Sequence, residues 1–193
     1  MVAYYFEVLI LSFIQGFSEF IPVSSSAHLI IFSEIIDFDL KSLEIDVSLH
    51  LGSLLAILVY FRNDLIKIFQ NQKILYLIFF GSMPLMFVGY LLYELGLIEQ
   101  FRNIKVIAWS TLIFGILLYI SDKFKVTKKI EKNINFKNIL FVGLFQTLSL
   151  IPGVSRSGIT ISAARFLNFN RYDAAKISFL LSIPALCGAS ALG

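Results

Sequence analysis

Two short stretches concentrate the residues of this chain that could do chemistry. The first reads Gln15-Gly-Phe-Ser-Glu19-Phe-Ile-Pro22-Val-Ser24-Ser25-Ser26-Ala-His28. Gln15 and Glu19 are four apart, so they share one face of a helix. Pro22 ends that helix, and Ser24, Ser25 and Ser26 then fall where the next one begins. A helix start offers unpaired N–H groups and a partial positive charge, which favour phosphate. His28 lies one turn further on, an acid–base candidate near Glu19 and three hydroxyls. The second stretch reads Ile151-Pro152-Gly153-Val154-Ser155-Arg156-Ser157-Gly158-Ile159-Thr160. Arg156 is a fixed cation whose planar fork suits phosphate oxygens. Ser155 opens a helix after the Pro-Gly break, with Ser157 close behind, and Thr160 shares the face of Arg156 four residues later.

Plainer readings exist for each. The serines could simply cap a helix, Glu19 could be a structural carboxylate, and Arg156 could reach to lipid headgroups. What weighs against them is the apolar setting. Of 193 residues, 58% are hydrophobic and 15% charged, against roughly 25% charged in a soluble domain. The mean hydropathy of +0.82 agrees. Such a chain is neither an ordinary soluble enzyme nor a nucleic-acid binder nor a disordered tail. One cysteine, Cys187, excludes a disulfide framework or a Cys-based zinc site. In lipid an ionisable residue is costly and reads as functional by default. The two stretches together supply a nucleophile, acid–base groups, a cation and two helix starts. That inventory suits a phosphate ester or diphosphate on a lipid, with phosphoryl transfer to a serine or to water. Glu19 could also hold a divalent cation bridging phosphates, with Gln15 nearby.

The elements that must position these residues follow from the apolar runs. Ile74–Tyr93 is twenty residues without a charge, enough to span about 30 Å of hydrocarbon at about 1.5 Å per residue. Pro84 within it is expected to kink the helix. Val106–Ser121, Val47–Phe61 and Ile177–Gly193 are further spans. Val8–Ser33 and Asn138–Arg165 differ: both are apolar, both carry polar residues, and Pro22 or Pro152 breaks each into arms of about a dozen residues. Such arms read as re-entrant helix–turn–helix units, two full crossings being the alternative. The two units also resemble each other. Gln15, Ser18, Ser24 and Ser26 align with Gln146, Ser149, Ser155 and Ser157 at an offset of 131, and Pro22 with Pro152 at 130.

Loop charges set the topology. Asp37, Asp39, Glu44 and Asp46 with only Lys41 suit the outside, as do residues 94–105. Arg62, Lys67 and Lys73, the lysines 123, 125, 128, 129, 132 and 137, and Arg165 and Arg171 suit the inside. Three spans lie between the two broken regions, so the second copy is inverted relative to the first. The expected fold is an all-α polytopic membrane protein of inverted-topology repeats, each a re-entrant helix–turn–helix followed by transmembrane helices. It forms a single integral membrane domain over 1–193. The first repeat covers about 1–122, a basic cytoplasmic loop about 122–137, and a partial second repeat about 138–193. Residue 193 corresponds to about residue 62 of the first copy. The second repeat is therefore expected to lack its last two helices, through fragmentation or natural truncation.

At these motifs the sequence resembles the undecaprenyl-diphosphate phosphatase family, the bacitracin-resistance proteins. Gln15…Glu19 is similar to its (Glu/Gln)-x-x-x-Glu motif, followed by Pro22-Val-Ser-Ser. Pro152-Gly-Val-Ser-Arg-Ser-Gly-Ile-Thr160 is similar to its Pro-Gly-x-Ser-Arg-Ser-x-x-Thr motif. Phe145-Gln146, Phe179-Leu-Leu-Ser-Ile-Pro184 and His50-Leu-Gly-Ser-Leu-Leu-Ala56 also look like the family. The resemblance implies removal of the terminal phosphate of undecaprenyl diphosphate, recycling the carrier lipid for peptidoglycan synthesis and conferring bacitracin resistance. It implies Ser25 as nucleophile with Ser24 second, Arg156 as diphosphate clamp, and Glu19 as base or metal-associated group. It implies His28 as acid or base, with Gln15, Ser26, Ser155, Ser157 and Thr160 around the substrate. A divalent cation, Mg or Ca, would serve as cofactor. The expected location is the bacterial inner membrane, with the site facing outward. The partners would be the prenyl diphosphate and membrane lipids, not nucleic acid, and a homodimer stays open. Two departures stand out: Gln15 where many members have Glu, and Ser26-Ala27 for the common Thr-Gly. Members usually run some seventy residues further, which would leave this fold open on one side. A transporter or flippase of the carrier lipid or another organic anion is the competing reading, since inverted repeats with broken helices also serve transport.

Overall fold

A computed structural model describes residues 2–36, 43–60 and 62–192. Among them every regular element is helical: α1 (Val2–Ser18), α2 (Ser25–Ile36), α3 (Leu43–Tyr60), α4 (Arg62–Phe69), α5 (Gln72–Glu94), α6 (Leu97–Phe101), α7 (Ile104–Asp122), α8 (Ile130–Asn133), α9 (Phe136–Gln146), α10 (Arg156–Phe166) and α11 (Arg171–Leu192). A 3-10 turn, Thr147–Leu150, extends α9. The expected outer loop with Asp37, Asp39 and Lys41 lies outside the described residues.

Polar residues mark where the long helices begin. Asn71, Asn103 and Asn135 each accept the third backbone N–H of the helix they precede, at 3.3, 3.0 and 3.0 Å. The same chemistry moves one boundary. The last apolar run was expected from Ile177, but α11 starts at Arg171 because Asn170 accepts from the Asp173 N–H at 2.8 Å. α1 is also longer than a dozen residues, since nothing before Val8 breaks a helix. α5 and α11 run on through Pro84 and Pro184. The short helices α4, α6 and α8 occupy what read as loops.

α5 and α7 are long and apolar enough to cross a membrane, yet only 28% and 17% of their apolar stretches are buried. A helix in the core of a soluble protein would be mostly buried. Here Trp109 and Tyr119 on α7, and Phe13 and Phe17 on α1, stand largely exposed. With this much apolar surface on several helices, the molecule is a membrane protein.

The interior lies where α5, α9, α10 and α11 meet, around Leu77, Ile139, Val142, Ala163, Phe169 and Leu181. α7 packs on α10, and α11 also packs on α3. α1 and α2 form a pair through Leu11 and Leu29. Small residues let α5 and α9 approach backbone to backbone: a Cβ on Gly143 would strike the Gly81 carbonyl, and one on Gly81 the Ile139 side chain. Gly143→Ala is therefore expected to destabilise the protein by about 1–3 kcal/mol, because backbone cannot yield as a side chain can. A lowered thermal midpoint in detergent would show it; an unchanged midpoint would contradict the packing.

At one end of the bundle, buried Arg165 fastens α10 to α7. It donates to the Asp122 and Phe124 carbonyls at 2.6 and 2.9 Å and to the Phe169 carbonyl at 2.7 Å. This places the α10 start, with Arg156, at the opposite end of a helix held at its foot. In the lysine-rich segment beside the clasp, Lys123, Lys125, Lys129, Lys132 and Lys137 are exposed.

Candidate active site

The chain breaks at Pro22 and Pro152 produce two turns of matching design. After each, a serine caps the next helix: Ser24 accepts from Ala27 N–H at 3.3 Å, and Ser155 from Gly158 N–H at 3.1 Å. The Ser24 hydroxyl then pairs with Ser26 at 3.2 Å, and that of Ser155 with Ser157 at 3.1 Å. The turns touch directly, since Ser157 donates to the Ile21 carbonyl at 2.8 Å. α7 holds the second turn from behind, through Ser110 to the Pro152 carbonyl at 2.6 Å and Thr111 to the Gly153 carbonyl at 3.2 Å. Gly153 has φ of +94°, and a Cβ there would collide with Ser110. Only glycine permits both the conformation and the contact.

Glu19 is the centre of the site. It is 5% exposed, and both carboxylate oxygens are engaged. Oε1 accepts from Arg156 Nη2, an ion pair between the two turns. Oε2 accepts from Gln15 Nε2 at 2.9 Å and Ser25 Oγ at 2.7 Å, and His50 Nε2 lies 3.5 Å away. Gln15 also donates to Ser53 on α3 at 3.3 Å. A buried carboxylate needs such partners, because removal from water is repaid only by charge pairing and hydrogen bonds. Two polar atoms keep unused capacity. Arg156 Nη1 and Gln15 Oε1 are both buried and have no hydrogen-bond partner among the described residues.

These groups form the polar end of a cavity of about 450 Å³. Glu19, Ser24, Ser25, Ser26, His50, Ser149 and Arg156 line one part, and residues of α5 and α11 supply an apolar remainder. A hydroxyl touching a carboxylate, with a guanidinium across the same carboxylate, can move a proton off an attacking oxygen while a cation holds an anionic group.

The family model described as Bacitracin resistance protein BacA matches residues 8–193. The undecaprenyl-diphosphatase of Pelagibacter ubique (strain HTCC1062) is 59% identical over 187 residues, covering 96% of this chain and 73% of the relative. That of Alcanivorax borkumensis is 41% identical over 201 residues, covering 97% of this chain and 76% of the relative. That of Hahella chejuensis is 40% identical over 196 residues, covering 95% and 73%.

The chain belongs to the BacA family.

Against that BacA framework, the structure sorts the residues singled out from sequence. Gln15, Glu19, Ser25 and Arg156 are joined in one hydrogen-bonded group, with Ser24 and Ser26 beside it on the cavity wall. Ser24 is occupied as a cap, whereas Ser25 directs its hydroxyl to Glu19. Thr160 is fully buried, bonded to Ser178 at 2.7 Å and to the Arg156 carbonyl at 2.8 Å, so it braces the helix that carries Arg156. Ser155 and Ser157 shape the turn rather than line this cavity. His28 is exposed and lies apart: its Nδ1 meets the Ser24 carbonyl at 2.6 Å, and it lines a second cavity between α2, α7 and the Ser155 turn. The imidazole beside Glu19 belongs to His50, whose Nδ1 donates to the Asp46 carbonyl at 2.6 Å. Motif spacing passes over His50 because it sits thirty-one residues from Glu19 on another helix. The available signal was its ionisable ring within an apolar span, with Ser53 on the next turn.

Proposed function

We propose that this chain hydrolyses undecaprenyl diphosphate to undecaprenyl phosphate and inorganic phosphate. In the cell that returns the carrier lipid to peptidoglycan synthesis and confers bacitracin resistance. The observation that carries the reading is the single carboxylate of Glu19, bonded at once to Ser25 Oγ and to Arg156 at the end of an apolar cavity. In this scheme Arg156, with Nη1 free to donate, clamps the diphosphate. Ser25 Oγ attacks the terminal phosphorus as its proton passes to Glu19 Oε2. The bond from that phosphorus to the bridging oxygen breaks, and the prenyl monophosphate leaves with the proton from Glu19. Water then attacks the phosphoserine, giving a proton to Glu19, which returns it to Ser25 Oγ as inorganic phosphate departs.

A divalent cation, Mg or Ca, belongs to the proposal. Glu19 and the unpaired Gln15 Oε1 are hard oxygen donors that would hold it together with substrate phosphate oxygens. No cluster of three His, Cys, Asp or Glu is present among the described residues, so the substrate would complete the shell. When bound, such an ion neutralises charge on the phosphates. The matched capping of the two turns supports a repeat built of two hairpins entering from opposite faces. The exposed lysines beyond α7 support an inner-membrane topology with that segment in the cytoplasm and the site opening outward.

The test is phosphate release from a C15 or C55 prenyl diphosphate by the purified chain in detergent. Release is expected, with a loss of at least tenfold in EDTA that Mg or Ca restores. A folded sample that binds the lipid and releases no phosphate would overturn the reading.

A further inference from the structure

We propose that the substrate's prenyl chain leaves the site along the slot between α5 and α11, and that Gly89, Gly188 and Met86 set its width. This rests on the phosphatase reading above, since it places the tail of that substrate. The cavity that holds Glu19, Ser25 and Arg156 at one end is continuous with this slot, whose walls include Leu85, Met86, Gly89, Leu186 and Gly188. At about 450 Å³ the cavity suits a drug-sized ligand. It accommodates the diphosphate and the first isoprene units, and a long chain must continue past the slot into lipid. The slot mouth fits that role, because Met86 and Tyr90 are half exposed along α5.

The two glycines are where the slot can be narrowed. A Cβ on Gly89 would make ordinary contact with Leu150 Cδ2 at 3.5 Å. Among the described residues, one on Gly188 would meet Met86 alone, at 3.5 and 3.7 Å. Neither position is needed for close helix packing, unlike Gly143 and Gly81. Alanine fits at both, while a longer side chain extends into the space beside Met86. Width at this point therefore discriminates by the presence of a prenyl tail rather than by the chemistry of the diphosphate.

The experiment compares kcat/KM for a C15 prenyl diphosphate and for a C5 prenyl diphosphate in detergent. Gly188→Leu is expected to lower the C15-to-C5 ratio at least tenfold, and Gly188→Ala less than threefold. Met86→Trp narrows the slot from its exposed side and is expected to lower the ratio as well, which guards against a folding defect in the glycine variants. A ratio within twofold of the unsubstituted chain in folded Gly188→Leu and Met86→Trp would overturn the slot and leave hydrolysis standing. Absence of phosphate release from both substrates by the unsubstituted chain would overturn the phosphatase reading, and the slot with it.

Discussion

Arg156→Ala should lower kcat/KM for a prenyl diphosphate by roughly a thousandfold or more. Loss of one preorganised charge donor costs about 10²–10³ in rate, and in the proposed scheme the same residue also binds the ground-state diphosphate. Arg156→Lys should recover little, because an ammonium lacks the planar fork that addresses two oxygens together. The variant carries a second effect that must be separated from the first. Removing Arg156 leaves Glu19 buried without its counter-charge, and a buried pair broken on one side is strongly destabilised. The double variant Arg156→Ala/Glu19→Gln removes that charge and should regain thermal stability while remaining inactive. Activity returning with stability would mean that neither Arg156 nor the Glu19 carboxylate takes part in the reaction.

Ser25→Ala should have the other large effect, a loss of about a thousandfold or more, since it removes the hydroxyl that the proposed scheme uses for attack. Its neighbour gives the contrast. Ser24→Ala removes the cap of α2 and should cost about 1 kcal/mol of stability, seen as a lowered thermal midpoint, with a smaller loss of activity. The distinction rests on what each hydroxyl touches: Ser25 meets a carboxylate at 2.7 Å, and Ser24 meets a backbone N–H and Ser26. If Ser24→Ala were inactive and Ser25→Ala active, the two roles would be exchanged.

Much of this was legible in the residues themselves. Gln15 and Glu19 sit one turn apart, so their hydrogen bond follows from helix geometry alone. The breaks near Pro22 and Pro152 were readable because serines that can cap a new helix follow each, whereas apolar residues follow Pro84 and Pro184 and those helices run on; α1 itself already ends at Ser18. The spans at Gln72–Glu94 and Ile104–Asp122 followed from uninterrupted apolar runs. What sequence could not supply was direction. His28 is near Glu19 along the chain, yet its helix turns it toward the other cavity, while His50 arrives from α3. The pairing of Arg156 with Glu19 spans 137 residues and depends on the two turns meeting through Ser157 and Ile21. Arg165 read as a topology marker, and only packing reveals it as the clasp between α10 and α7. Boundaries moved where a polar side chain such as Asn170 captured a backbone N–H ahead of the apolar run.

The most direct measurement is a rapid-quench experiment with a prenyl diphosphate labelled in its terminal phosphate. Label should appear on the protein within the first turnover, map to Ser25, decay as inorganic phosphate forms, and be absent from Ser25→Ala. Full turnover with label never on the protein, or label mapped to another residue, would contradict attack by Ser25 at the Glu19–Arg156 site.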